Sequence, residues 1–265
     1  MDLGHAGARV IVTGGGANIG RGIALGFAAE GARVLVADID GAEAEAVADL
    51  AAKAGAAAVQ HVAADLTAPE AAADTVGRAL AEWDGVDVLV NNAGWSKPGF
   101  FADQTDRELW QRTIEVNLYT AYACTQAVLD PMREAGGGSL VFISSDSAFG
   151  ALRQGIYGST KAGLISLART IAREHGRHNI RSNVVAPGLV VPDDDAPVGP
   201  HSVWAAGRDA LFTPEQTDYV LKTQPLRRLT TAADVANAVL WISSPLAARQ
   251  VTGQVIAVGG GSTMP

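Results

Sequence analysis

The sequence predicts an α/β fold, a doubly wound domain built on a seven-stranded parallel sheet, and three observations carry this prediction. Short β-branched runs alternate with longer helical segments along the 265 residues. The first run, Arg9 to Val12, leads into a glycine-rich turn and then a helix. Several later runs end in polar or glycine residues, as strands do at the ligand-binding edge of an open α/β sheet. We therefore expect residues 1–265 to form a single domain.

The composition is that of a soluble globular protein. Hydrophobic residues make up 48% of the chain, enough for a sheet buried on both faces, and the net charge is −8. This negative charge argues against nucleic acids and anionic membranes as partners. No basic segment followed by an apolar run opens the chain, and no apolar stretch approaches the roughly 18 residues of a membrane span, so we expect a cytoplasmic protein. The single cysteine, Cys124, is interpreted as a packed thiol.

The turn from Thr13 to Gly20 predicts a phosphate-binding loop. It follows the first strand and precedes a helix predicted from Arg21 to Glu30, which is the order found in dinucleotide-binding proteins. Gly14 and Gly20 allow a pyrophosphate to approach the backbone, and the helix N-terminus offers N–H groups. The alternative is a turn that is merely tight.

The second predicted strand, Arg33 to Ala37, ends in Asp38, about 20 residues beyond the glycine turn. A carboxylate at this position accepts hydrogen bonds from both hydroxyls of an adenosine ribose and repels a 2′-phosphate. Ile39 and Asp40 follow, so no cation is at hand to bind such a phosphate. We therefore predict NAD rather than NADP as the cofactor. The alternative is that Asp38 caps the helix predicted from Gly41 to Ala54.

Two further strands are predicted to end at the same edge of the sheet. Ala57 to Val62 is followed by Asp65 and Leu66, and Val86 to Val90 is followed by Asn91, Asn92, Ala93 and Gly94. Asp65 could simply cap a turn, but its position suggests contact with the adenine amino group.

The second half of the chain adds three strands and a long helix. The strands are predicted at Leu140 to Ile143, Ile180 to Ala186 and Val251 to Val258, and helical periodicity extends from Thr105 to Arg133.

Tyr157 and Lys161 are candidates for acid/base chemistry. They lie four positions apart on a helix predicted from Ile156 to His175, so their side chains share one face. A nearby ammonium favours phenolate and should lower the tyrosine pKa from its usual value of about 10. Tyr157 could then act as a general acid/base near neutral pH. Taken alone, such a pair is more often a surface pair.

In their order and spacing, these elements resemble the short-chain dehydrogenase/reductase family over essentially the whole chain. The matching positions are the Thr13 to Gly20 turn, Asp65, Asn91 to Gly94, Asn117, Ser144 and Ser145, Tyr157 with Lys161, and Pro187 with Gly188. The resemblance implies a Rossmann fold and a four-residue catalytic site.

The resemblance also implies a role for each catalytic residue. Tyr157 is the acid/base, and Lys161 holds the nicotinamide ribose and lowers the pKa of Tyr157. Ser145 hydrogen-bonds the substrate oxygen. Asn117 holds a water in a proton relay, the alternative being a buried asparagine with satisfied amide groups. Ser144 has the commoner spacing from Tyr157, but Ser145 is second in the strand end and is preferred.

The cofactor-binding residues that the resemblance implies are Gly14, Asn18, Ile19, Gly20, Asp38, Asp65, Leu66, Asn92, Ala93, Gly94, Tyr157, Lys161, Pro187 and Gly188. Asn18 stands where the family commonly has a glycine; asparagine tolerates left-handed backbone angles, and its amide could add a phosphate hydrogen bond. Pro192 stands where a threonine often contacts the nicotinamide carboxamide, so backbone groups near Leu189 are expected to do so instead.

An insertion at about residues 189–230 is expected to cover the substrate, with one or two helices between Ser202 and Gln224. Within it, Asp193 to Asp195 is interpreted as a solvated acidic turn, and no metal is predicted. The predicted substrate-lining residues are Trp95, Ser96, Ser147, Phe149, Leu189 and Trp204. They are mostly apolar or aromatic, which favours a cyclic or aryl alcohol over a sugar.

The sequence therefore predicts an NAD-dependent oxidoreductase that interconverts a secondary alcohol and a ketone. The alternatives are a dehydrogenase/reductase of 3-hydroxyacyl or 3-oxoacyl thioesters and a non-catalytic NAD-binding sensor. Family members of this size are usually tetramers, so we expect a homotetramer that acts on a small-molecule substrate.

Overall fold

A seven-stranded sheet forms the centre of the protein, whose structure is a computed structural model that describes residues 1–192, 199–207 and 213–265. The strands are β1 Arg9–Thr13, β2 Arg33–Asp38, β3 Ala58–Ala63, β4 Val88–Asn91, β5 Gly138–Ile143, β6 Ile180–Pro187 and β7 Val255–Val258. Their order is β3-β2-β1-β4-β5-β6-β7, and every pair is parallel. The predicted fold class is confirmed.

Helices cover both faces of this sheet. They are α1 Asn18–Ala29, α2 Gly41–Ala54, α3 Ala71–Trp83, α4 Arg107–Ile114, α5 Thr120–Glu134, α6 Gly155–His175, α7 Pro214–Thr223 and α8 Ala232–Ser243. Side chains alternate between the two faces of a strand, so Val10 and Val12 pack in the layer under α1, α2 and α8, and Ile11 packs under α3, α5 and α6. Both faces are therefore apolar, as expected for a parallel sheet.

The helix predicted from Thr105 to Arg133 is interrupted at its centre. A π-helical turn, Glu115–Tyr119, joins α4 to α5 and carries Asn117. The Asn117 Nδ2 donates to the carbonyl oxygen of Thr113 at 2.8 Å, the same acceptor that the Asn117 backbone N–H would use in an α-helix. The side chain thus competes for that carbonyl, and such local widening of a helix is common at functional sites.

The last strand is shorter than predicted and begins at Val255 instead of Val251. The carbonyl oxygen of Val251 accepts a hydrogen bond from Asn183 Nδ2 at 2.8 Å, and Gly253 has a left-handed φ of 72°. The residues before β7 therefore form a bent connection that side chains of β6 hold in place.

The segment expected to cover the substrate leaves and rejoins the sheet at one place, because Val190 and Thr230 form an isolated parallel bridge. Residues 199–207 form turns, and α7 begins at Pro214. The predicted acidic turn, Asp193 to Asp195, lies outside the described residues.

Across the described ranges, no helix combines the length and apolarity needed to cross a membrane. Those ranges also contain no group of three or more His, Cys, Asp or Glu side chains that could hold a metal ion. Cys124 is buried, and its burial raises the pKa of the thiol to about 12, which fits the interpretation of a packed side chain.

Candidate active site

A cleft of about 850 Å³ opens at the carboxyl ends of the strands. All of the predicted site residues except Asn117 and Phe149 line it. Asn117 lies beneath its surface and is 1% exposed. Phe149 ends a short 3-10 turn, Asp146–Phe149, and is 42% exposed outside the cleft. The residues that follow this turn, Gly150 to Leu152, line the cleft where Phe149 was expected.

The glycine turn is shaped by close backbone contacts. An added Cβ at Gly20 would collide with the carbonyl oxygen of Gly14, and one at Gly14 would lie 2.9 Å from the Cα of Ala93. Asn18 has a left-handed φ of 40°, as expected for an asparagine in place of glycine. No side chain caps the first turn of α1, so its N–H groups are left for an anionic ligand.

Asn92, in the loop that follows β4, connects this loop to the glycine turn through its side chain. Its Nδ2 donates to the carbonyl oxygens of Thr13 at 2.9 Å and of Gly14 at 2.8 Å. In return, the Thr13 hydroxyl oxygen accepts from the backbone N–H groups of Asn92 at 3.0 Å and Ala93 at 3.1 Å. Two strand ends that would otherwise be separate loops are therefore fixed to each other.

The Asp38 carboxylate accepts hydrogen bonds from the backbone N–H groups of Gly16 at 2.8 Å and Asp40 at 3.0 Å. Burial raises the pKa of Asp38 despite these bonds. Asp38 does not cap α2, whose N-cap residue is Asp40. Each Asp38 oxygen keeps a second lone pair, so the carboxylate can still accept from ribose hydroxyls.

Two predicted cofactor residues make contacts within the protein. Asp65 Oδ1 accepts from the backbone N–H of Thr67 at 3.0 Å and from its hydroxyl at 2.7 Å, so Asp65 does cap a turn. The Asn18 Nδ2 donates to the carbonyl oxygen of Val190 at 3.2 Å. The asparagine amide therefore connects the glycine turn to the start of the substrate-covering segment.

The two adjacent serines face different surroundings. The Ser144 hydroxyl donates to the backbone carbonyl of Lys161 at 2.8 Å and is 3% exposed. The Ser145 hydroxyl donates to Asp146 Oδ1 at 3.1 Å, accepts from the Ser147 backbone N–H at 3.1 Å, and lies close enough to Tyr157 to act on the pKa of its phenol. Of the two, Ser145 is therefore the serine whose hydroxyl reaches Tyr157.

Lys161 lies below Tyr157, with its Nζ 5.6 Å from the centre of the Tyr157 ring and donating to the Ile143 carbonyl oxygen at 2.9 Å. Burial lowers the pKa of Lys161 to about 8. Burial also raises the pKa of Tyr157 to about 12; the hydrogen bond to Ser145 opposes this rise, and the Asp146 carboxylate adds to it. Burial therefore dominates the pKa of Tyr157 in this structure, and the lowering of that pKa by Lys161 stays a prediction.

Asn117 holds the loop that follows β4. Its Nδ2 donates to the carbonyl oxygen of Trp95 at 2.7 Å, in addition to Thr113, and its Oδ1 accepts from the Trp95 backbone N–H at 3.2 Å. Both amide N–H groups are used in this way, and the amide oxygen keeps a second lone pair. Trp95 is therefore fixed at both its N–H and its carbonyl group.

Among the cleft residues that the sequence analysis did not predict, four make side-chain contacts that shape the site. Asp146 accepts a hydrogen bond from Ser145, and burial raises its pKa. Gln154 Oε1 accepts from the Ser96 hydroxyl at 3.0 Å, and the Arg112 guanidinium carbon lies 4.3 Å from the centre of the Trp95 ring. The position of Asp146, directly after the strand-end serines, was an available signal.

The fourth missed residue, His201, connects the substrate-covering segment to the cofactor end of the cleft. Its Nδ1 contacts the Asp40 carboxylate, whose other oxygen accepts from the His201 backbone N–H at 3.2 Å. The His201 side chain is 51% exposed. Nothing in the local sequence around either residue indicates this contact.

Comparisons with known proteins match nearly the whole chain. A family model described as enoyl-(acyl carrier protein) reductase matches residues 15–263. The 7alpha-hydroxysteroid dehydrogenase of Escherichia coli (strain K12) is 34% identical over 252 residues, or 95% of this chain and 92% of that protein. The L-rhamnose 1-dehydrogenase (NAD(P)(+)) of Sphingomonas sp. (strain SKA58) is 36% identical over 259 residues, or 96% of each chain.

A solved structure of 7alpha-hydroxysteroid dehydrogenase, complexed with NADH and 7-oxo glycochenodeoxycholic acid, has a TM-score of 0.87 to this chain. Its sequence identity is 34%, and the alignment covers 98% of this chain and 96% of that one. The matched ranges include Tyr157 and Lys161, and the shared fold is the seven-stranded sheet with its flanking helices. The family predicted from the sequence is therefore confirmed, and the chain belongs to the short-chain dehydrogenase/reductase family of oxidoreductases.

Proposed function

We propose that this protein is an NAD(H)-dependent enzyme that interconverts a secondary alcohol and a ketone, with a cyclic or aryl substrate. The observation that carries this proposal is the grouping of Ser145, Tyr157 and Lys161 on the wall of the cleft, with the buried Lys161 ammonium 5.6 Å from the centre of the Tyr157 ring. The relatives named for a 7alpha-hydroxysteroid and for L-rhamnose support hydroxyl chemistry on a ring-containing substrate.

The cleft residues fit a nicotinamide dinucleotide. The glycine turn leaves no room for side chains at Gly14 and Gly20, and the uncapped start of α1 suits a pyrophosphate. The Asp38 carboxylate suits an adenosine ribose with a free 2′-hydroxyl and disfavours a 2′-phosphate, which supports NAD over NADP. When bound, the cofactor supplies the hydride acceptor or donor.

In ketone reduction, Tyr157 gives its proton to the carbonyl oxygen while hydride reaches the carbonyl carbon. Its pKa of about 12 keeps it protonated at neutral pH, so it is ready for this step. The Ser145 hydroxyl donates a hydrogen bond to the same oxygen, where negative charge develops. In alcohol oxidation, the hydroxyl proton passes to Tyr157, and the Lys161 ammonium favours the phenolate that accepts it.

The contacts of Asn117 bear on the relay role predicted for it. Both amide N–H groups already bind Trp95 and Thr113, whereas the amide oxygen accepts only from the Trp95 N–H and keeps a second lone pair. A relay water at Asn117 would be bound by that lone pair or by the backbone of the π-helical turn, and the side chain also positions the backbone of Trp95.

A second candidate is the reduction of a 3-oxoacyl thioester, which is favoured by a relative named 3-oxoacyl-[acyl-carrier-protein] reductase, from Chlamydia muridarum (strain MoPn / Nigg), that is 34% identical over 95% of each chain. Such reductases usually rely on NADPH, whose 2′-phosphate the Asp38 carboxylate would repel, so Asp38 argues against this candidate. A non-catalytic sensor is disfavoured, since a sensor needs no acid/base group beside a serine hydroxyl.

The test is to follow NADH absorbance with cyclic, aryl-aliphatic, polyol and hydroxyacyl-thioester alcohols, each with NAD and with NADP. We expect NAD-dependent oxidation of a cyclic or aryl alcohol. Tyr157→Phe should lower turnover on the order of 10²- to 10⁴-fold, the range for loss of a general acid/base, and should leave NADH binding intact. Preferred turnover of thioesters supports the second candidate, and full activity of Tyr157→Phe contradicts the mechanism. The homotetramer stays a prediction, which light scattering of the purified protein would test.

A further inference from the structure

A guanidinium group lies on the wall of the cleft, stacked on a fixed aromatic ring. The Arg112 Cζ is 4.3 Å from the centre of the Trp95 ring, and both residues line the cleft. Because Asn117 binds the N–H and the carbonyl of Trp95, the backbone that carries this ring has a defined position relative to the catalytic residues. A cation held over an aromatic face in this way is attracted by the ring without using its N–H groups, which stay available to a ligand in the cleft.

The charge of Arg112 is not matched by a carboxylate within the described residues. Elsewhere in these residues, Arg9 pairs with Asp87 and Arg228 pairs with Asp234, but no hydrogen bond or ion pair engages the Arg112 side chain there. Of the nearby acidic residues, Glu108 on the same helix forms no ion pair with Arg112 within the described residues, and Glu115 in the π-helical turn accepts a hydrogen bond from Gln111 at 2.7 Å. Arg112 therefore keeps its hydrogen-bond donors for a ligand.

The charges of the cleft are arranged unevenly. The carboxylates of Asp38, Asp40 and Asp65 lie at the cofactor end, and that of Asp146 lies beside Ser145. The ammonium of Lys161 is buried under Tyr157. Among the described residues that line the substrate end of the cleft, Arg112 thus carries the permanent positive charge that a substrate can reach.

We propose that Arg112 is a specificity-determining residue that binds an anionic oxygen group of the substrate, a carboxylate or a phosphate. This inference rests on the proposed function and deepens it. The substrate would be a secondary alcohol whose apolar body lies against Trp95, with its hydroxyl at Tyr157 and its anionic group at Arg112. A guanidinium fork matches the two oxygens of a carboxylate or phosphate, and the stacked ring favours an aryl or cyclic body.

The test is a calorimetric titration of the protein–NADH complex with three matched ligands: phenylacetate, phenyl phosphate and the neutral phenylacetamide. At low salt we expect at least one anion to bind roughly ten-fold more tightly than the amide, because a charge-assisted hydrogen bond at an exposed site gives a modest, salt-sensitive gain. The better anion then identifies which of the two groups the substrate carries. Arg112→Met, which keeps an apolar stem over Trp95, should abolish the preference.

Arg107→Met is the matched control, because Arg107 is an exposed arginine of the same helix that does not line the cleft. This variant should keep the full preference for the anion. Arg112→Gln provides a second variant in case the methionine disturbs folding, and NADH binding reports the folding of each protein. Equal binding of anions and amide by the wild-type complex, including no binding of either, overturns the inference, as does a preference that survives in both Arg112 variants.

Failure of the proposed function would be visible separately. Hydride transfer to or from a neutral cyclic alcohol or ketone is measured on the same protein samples. Turnover without any Arg112-dependent anion preference would leave the oxidoreductase function in place and remove the subsite. An anion preference without any turnover would leave the anion-binding subsite in place and contradict the oxidoreductase function.

Discussion

The cofactor end and the substrate end of the cleft are each stabilised by a different kind of contact. At the cofactor end, short side chains bind backbone groups of neighbouring strand ends, as Asn92 does with Gly14 and Asp38 does with Gly16. At the substrate end, isolated contacts between larger side chains dominate, such as Arg112 on Trp95. The cofactor, which the whole family shares, can thus be bound by backbone groups whose positions the fold determines. The substrate, which varies within the family, is bound by side chains that can change without altering the sheet.

In this comparison the largest change in turnover is expected at Ser144 and Ser145, which lie where the cofactor end and the substrate end meet. Ser145→Ala should lower turnover on the order of 10²- to 10³-fold, because it removes a hydrogen bond to the oxygen at which charge develops. Ser144→Ala should leave turnover within a few-fold and lower the free energy of unfolding by about 1 kcal/mol, because it removes only the bond to the Lys161 carbonyl. Steady-state kinetics and urea unfolding of both variants provide the measurement.

The same pair of variants contains its own control, since each serine is the reference for the other. Reversed results, with Ser144→Ala inactive and Ser145→Ala active, would assign the catalytic hydroxyl to Ser144. NADH titration should show that neither variant has lost the cofactor site.

A smaller effect is expected at the cofactor end, for Asp38. The N–H groups of Gly16 and Asp40 bind different oxygens of Asp38, so Asp38→Asn keeps an acceptor for one of them and removes the charge that repels a 2′-phosphate. The ratio of kcat/KM for NAD to that for NADP should therefore fall by about 10- to 100-fold, in line with the Coulomb energy of two close charges at moderate dielectric. Kinetics with both cofactors measure this ratio. An unchanged ratio would show that a group other than Asp38 selects the cofactor.

The smallest effect is expected for the contact between His201 and Asp40. His201→Ala should raise the dissociation constant of NADH only a few-fold, because the imidazole is half exposed and such pairs contribute little. His61→Ala, an exposed position outside the cleft, is the control. Fluorescence titration with NADH measures both. A ten-fold or greater loss of NADH affinity in His201→Ala would contradict the contrast between the two ends. It would mean that the substrate-covering segment contributes as much to cofactor binding as the strand ends do.

The sequence could predict the cofactor end because strand ends and glycine turns have a local pattern. The alternation of apolar residues locates the strands, and the parallel sheet then brings Gly14, Asp38 and Asn92 to one edge. Asn18 was predictable for a related reason, since asparagine is among the few residues that adopt its left-handed φ of 40° readily.

The substrate end and the substrate-covering segment were less predictable because their turns have no period and their side-chain contacts leave no local pattern. His201 of that segment contacts Asp40 at the cofactor end, 161 positions away, and neither has a neighbour that indicates the other. The π-helical turn at Asn117 leaves the apolar pattern of the helix intact, so periodicity predicts one continuous helix. Phe149 was placed in the cleft from its distance to Ser145, but the 3-10 turn directs it to the surface.

The bridge between Val190 and Thr230 has a consequence for how such enzymes diversify. A segment whose two ends meet at one point can grow or shrink without moving the strands that carry it. By the logarithmic dependence of loop-closure entropy on length, doubling it costs only about 0.6 kcal/mol. Recombination at Val190 and Thr230 would exchange the whole substrate-covering segment and leave the strands and the catalytic residues unchanged. A new substrate preference could then arise without any mutation of the catalytic residues.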